Sequence, residues 1–118
     1  MFVVEMKPLG IPEDTNFTLY VSNQSVDDRL VNTKVRIDDH LEVDQGFDVG
    51  DQHQVYPFYF KLNQGEHIVQ VDAKDTSYQS EFTINTELWM AVAYWHNKDD
   101  HESPMMLVDV SDGPIGFQ

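Results

Sequence analysis

No cysteine occurs among the 118 residues, so neither a disulfide nor a thiolate can staple the fold or carry a reaction. Cations are scarce as well: seven Lys and Arg stand against 21 Asp and Glu, for a formal net charge of −14. A surface field of that sign repels nucleic acid phosphates and anionic membranes, which argues against both as partners. No apolar run approaches the length of a membrane span. The opening MFVVEMKPLGIPED lacks the basic start of a secretory leader, and cytoplasmic residence is the expectation. The six glycines are scattered among turns, so no glycine-rich phosphate cradle exists. No serine sits in a Gly-x-Ser-x-Gly elbow, and no Ser, His and Asp can be singled out as a triad. These absences point away from an enzyme, and no bound cofactor is expected.

What is present is apolar pattern. Hydrophobic residues make up 41% of the chain and aromatics 12%, enough for a packed core despite the charge. A chain of this length forms one domain, residues 1–118, that buries roughly two-thirds of the surface its unfolded form exposes.

The dominant period is two, the signature of strands with one buried face. NFTLYVS places Phe17, Leu19 and Val21 on one side and Thr18, Tyr20 and Ser22 on the other. VNTKVRI does the same with Val31, Thr33, Val35 and Ile37 inward. Asp38 and Asp39 then turn the chain into LEV, with Leu41 and Val43 in alternation, and aspartate tolerates the left-handed backbone of a tight hairpin. Pro57 inside QVYPFYFKL marks an edge strand or a strand start, because proline donates no ladder hydrogen bond. The turn NQG leads to EHIVQVDAK, with His67, Val69, Val71 and Ala73 in phase, and then to QSEFTIN with Phe82 and Ile84. ELWMAVAYW is apolar on both sides, the pattern of a central strand covered on both faces or of a short helix, and its short length and all-β surroundings favour the strand. PMMLVDV closes the series with Met106, Val108 and Val110 in phase.

The hairpin GEHIVQVDAKDTSYQSEFTI, residues 65–84, together with TKVRIDDHLEV, resembles the hairpins of immunoglobulin-like and fibronectin-type sandwiches. The resemblance covers about a third of the chain and departs from antibody domains in having no Cys and therefore no Cys-Trp-Cys pattern. It implies an all-β, immunoglobulin-like antiparallel β-sandwich of about seven to nine strands that binds through loops or edge strands. It implies no activity, because fold does not carry function.

Three groups of residues are candidates for a site. HNKDDHE, residues 96–102, holds His96, Asp99, Asp100, His101 and Glu102, the types that ligate zinc or calcium. His96 and His101 are five apart, on opposite faces of any strand, so they converge only if the chain turns between them. A solvated loop is the expected reading, with no metal. Among the aromatics, Tyr59 lies out of phase with Phe58 and Phe60, and Trp95 ends the apolar strand; both are candidate ligand-binding residues of the kind that stack on a sugar ring. The Asn-x-Ser/Thr matches at Asn16 and Asn23 carry weight only in a secreted protein.

The expected function is that of a non-catalytic binding or protein-interaction module, with a protein partner or with self-association through an exposed strand. An acidic mimic of nucleic acid acting on a basic protein, and a carbohydrate-binding domain, are the alternatives.

Overall fold

The computed structural model of the chain describes residues 14–25, 29–48, 55–74, 76–96 and 105–113. Their secondary structure is all β: β1 (Phe17–Asn23), β2 (Leu30–Ile37), β3 (His40–Asp48), β4 (Val55–Phe60), β5 (Gly65–Ala73), β6 (Thr76–Ile84), β7 (Leu88–Trp95) and β8 (Met105–Ser111). They form two four-stranded sheets. Sheet A has the order β4-β1-β7-β8 and sheet B the order β3-β2-β5-β6. Among the described residues no helix is long and apolar enough to cross a membrane.

Sheet B is antiparallel throughout. Sheet A is mixed, because β1 runs antiparallel to β4 but parallel to β7, with Phe17 opposite Leu88 and Asn23 opposite Tyr94. The all-antiparallel expectation is corrected on this point. A parallel neighbour needs a long connection, and here the whole of sheet B lies in sequence between β1 and β7.

The β2–β3 hairpin turns at Asp38 and Asp39, whose φ angles of 51° and 68° are those of the tight turn matched to strand twist. Its far arm differs from simple alternation. The register passes from Val35↔Val43 to Arg36↔Leu41, leaving Glu42 as an extra residue in a bulge. Val43 therefore faces the core, while Leu41 faces solvent and is 50% exposed. The placement of Leu41 and Val43 on one face is corrected by that single inserted residue.

Between the sheets, Phe17, Leu19 and Val21 of β1 and Met90 and Val92 of β7 pack on Val35, Ile37, Val69, Val71, Phe82 and Ile84. At one end the rings form a continuous stack: Phe60 lies 6.0 Å from Phe17, Phe17 4.7 Å from Phe82, and Phe82 5.5 Å from His67. At the other end Val31, Ala73 and Tyr94 make a smaller cluster, against which Met106 packs.

Two side chains tie the layers together where no ladder can. The chain leaves sheet A at Phe60 and enters sheet B at Gly65, whose φ of 117° is a conformation L side chains rarely adopt. Asn16 holds this crossover: its amide nitrogen donates to the Leu62 carbonyl at 2.7 Å, and its side-chain oxygen accepts from the Leu62 amide at 2.8 Å. Asn23, almost wholly buried, donates to the carbonyls of Phe47 and Arg29 and accepts from the Ser25 amide. Both asparagines are thus internal connectors, spending their polar atoms on backbone groups that burial would otherwise leave unmatched.

Candidate functional site

The two sheets differ in chemistry as well as connectivity. In the four strands of sheet A, Asp109 is the single charged side chain. The strands of sheet B carry Glu42, Asp44, Asp48, Glu66, Asp72 and Glu81 alongside Lys34 and Arg36. Arg36 reaches Asp72 at 3.4 Å and Asn32 reaches Asp44 at 3.2 Å across this solvated surface. One side of the sandwich is thus built for water and the other is not.

The outer face of sheet A follows from the register. Tyr59, Thr18, Trp89 and Ser111 lie in one row, Pro57, Tyr20, Ala91 and Asp109 in the next, and Val55, Ser22, Ala93 and Leu107 in the third. Trp95 opposite Met105 ends the face. Thr18 and Ser22, on the β1 part of this face, are both buried. Burial, and then the nearby Tyr59, raises the pKa of Tyr20, whose phenol stays a neutral donor and acceptor. Trp89, Ala91, Ala93 and Trp95 are each half-buried. The expectation that β7 is central holds, since β1 and β8 flank it, but its outer side is only partly covered.

Tyr59 and Trp95 share this outer face and do not form one site. Tyr59 is in register with Trp89, six residues before Trp95, which at about 3.3 Å per residue separates the two by roughly 20 Å. A single sugar ring cannot touch both. Ala93 and Leu107 share the face with the aromatics Tyr59, Trp89 and Trp95, and counting charges strand by strand is the sequence signal that points to it.

His96 is half-buried just beyond β7, while Asp99, Asp100, His101 and Glu102 lie outside the described residues. Among the described residues no group of three His, Asp or Glu could hold a metal ion.

A His and Asp pair does form elsewhere. His67, 8% exposed, has Nδ1 2.5 Å from the Asp38 carboxylate and Nε2 2.7 Å from the Asn63 carbonyl. Asp38 also accepts from the Ile68 amide at 2.9 Å and donates its own amide to the Ile68 carbonyl. A carbonyl only accepts, so Nε2 carries a proton; an ionised carboxylate only accepts, so Nδ1 carries one too. In its imidazolium form His67 donates to both acceptors. Burial opposes this, but the hydrogen bonds to Asp38 and Asn63 and the Asp38 charge outweigh it and raise the His67 pKa. The hydrogen bond from His67 is the main reason the Asp38 pKa is lowered, helped by the Ile68 amide and by His67 and His40 charge. The arrangement resembles a base with its orienting carboxylate, yet both nitrogens are occupied and neither offers a lone pair to a substrate.

No family model, curated protein or solved structure matches this chain.

Proposed function

We propose that this chain is a non-catalytic interaction module of immunoglobulin-like type whose protein-binding side is sheet A. The observation that carries the reading is the segregation of charge: in a chain of net charge −14, the strands of sheet A keep one carboxylate between them. Solubility alone requires only scattered charge. A face with a single charge, Asp109, and rich in Trp and Tyr has the composition of an interface centre, from which charge is depleted and in which aromatics are enriched. The occupied nitrogens of His67 agree with the absence of a catalytic base at that position. The acidic-mimic reading asks for carboxylates set at regular intervals along one face, and Lys34 and Arg36 interrupt sheet B where such a row would run. In the sugar-binding reading Tyr59 and Trp95 would serve separate subsites.

Affinity capture with matched variants tests the reading. Trp95→Ala and Ala93→Arg, both on sheet A, are expected to lose the proteins that the parent retains, while Gln79→Arg on the outer face of β6 keeps them. Circular dichroism checks that each variant is folded. A captured set unchanged by both sheet A variants, or lost with Gln79→Arg, contradicts it.

A further inference from the structure

Each sheet of an open sandwich ends in edge strands, and an edge presents unpaired N–H and C=O groups that must be blunted or used. Among the described residues the two sheets end in four edge strands, three of them blunted. β4 carries Pro57 in mid-strand, β3 carries the Glu42 bulge with Asp44 and Asp48, and β6 exposes Ser77, Gln79, Glu81 and Thr83. Among the described residues β8 pairs with β7 alone, and of these devices it carries a single charge, Asp109. Met105–Ser111 contains no proline, no lysine and no register shift. Leu107 is 49% exposed, and Val110, which is in phase with the core-packed Met106 and Val108, is 47% exposed. A position facing the sandwich interior is left uncovered at the end of the sheet.

The sequence of β8 specifies what fits. Resting on the reading of sheet A as the binding side, we infer that the occupant of β8 is a second copy of this chain, paired antiparallel so that the two A sheets become one eight-stranded sheet. Paired residues point to the same face, so a two-fold pairing that keeps inner positions inward must centre on a residue and not between two. Centring on Val108 uses the whole strand. Met106 then meets Val110 of the second copy on the inner side, covering the exposed valine. On the outer side Leu107 meets Asp109, so the strand's only charge never faces itself. Centring on Asp109 would oppose the two carboxylates, and centring on Leu107 would leave two residues of each strand unpaired. A cationic peptide finds one carboxylate along β8, too little to favour it over the self-complementary strand.

The register makes the test specific. Sedimentation equilibrium of the full chain at 0.15 M salt, up to about 1 mM protein, is expected to show a monomer–dimer equilibrium. Leu107→Glu places a carboxylate opposite Asp109 at two symmetric points and is expected to weaken the dimer by roughly tenfold or more. Met105→Glu adds the same charge opposite Ser111 and is expected to change it by no more than about threefold. Leu107→Lys places opposite charges together and is expected to preserve the dimer. The substituted side chains are exposed, so thermal melts should match the parent. A parent that stays monomeric throughout overturns the inference, as do Leu107→Glu and Met105→Glu acting alike. A monomeric parent whose captured partners still depend on Trp95 and Ala93 would overturn the dimer and leave the sheet A reading standing.

Discussion

Phe17→Ala is expected to lower the unfolding free energy by about 3–5 kcal/mol, the cost of a cavity at a fully packed aromatic site. Phe17 is completely buried at the start of β1 and is the point where the two layers meet. Its ring lies 4.7 Å from Phe82 in sheet B, nearly parallel, and 6.0 Å from Phe60 in sheet A. Removing it strips the stacking partner from Phe82, which in turn stacks on His67. The neighbours are anchored in both ladders and cannot collapse into the space. A domain of this size has about 5–15 kcal/mol of stability in all, so the variant should melt more than about 10 °C below the parent. Phe17→Leu, which fills most of the volume, should lose less than half as much. Urea denaturation of the three proteins checks this. Equal losses for Ala and Leu would mean the ring geometry, and not the filled volume, is what holds that end of the core.

The second large effect is at His67. Its Nε2–H satisfies the Asn63 carbonyl in the crossover between sheets, and its Nδ1–H holds Asp38 in the β2–β3 turn. His67→Ala takes the His67 donor from the Asn63 carbonyl, removes one of the donors to Asp38, which keeps the Ile68 amide, and opens space beside Phe82, for a loss of about 1–3 kcal/mol. The pH dependence has a defined sign on each side. The His67 pKa is raised above 6.5 in the fold, so its contribution is full below that value and is lost as pH rises through the folded pKa. The Asp38 pKa is lowered from 3.8, so its contribution is full above that value and is lost as pH falls through the folded pKa. The pair therefore contributes most between those two values. Subtracting the stability of His67→Gln from that of the parent at a series of pH values removes the titration of the other carboxylates. The difference should be largest near pH 5 and shrink toward pH 9; a difference flat across that range would contradict the imidazolium assignment.

Much of this architecture is legible in the order of residues, and the parts that are not share a cause. Alternation places Phe17, Val35, Val69 and Phe82 inward because a strand's period of two is local. Pro57 marks an edge because the missing donor is a property of that residue alone. Asp38 and Asp39 form the turn because their own backbone preferences permit it. The bulge at Glu42 is different: Leu41 and Val43 alternate perfectly in sequence, and only the partner strand's register separates them. The parallel pairing of β1 with β7 joins segments with all of sheet B between them, and no local pattern encodes it. Asn16 and His67 read as an ordinary polar residue and a core position, since the carbonyls they serve belong to the crossover. For the site, single aromatics such as Tyr59 and Trp95 were visible, while the surface they share depends on which strands become neighbours. The residues 99–102 of the acidic stretch lie outside the described residues.

The claim that sheet A is the binding side is tested most directly by placing a photoreactive benzoylphenylalanine at position 93 on β7 or at position 79 on β6 and irradiating the protein in its own cell extract. Both positions lie on outer faces, 93 on the sheet whose strands carry only Asp109 and 79 on the more charged one. The account predicts defined covalent adducts from position 93, mapped by mass spectrometry to one or a few partners or to a second copy of the chain, and none from position 79. Adducts confined to position 79, or formed equally from both, would contradict it.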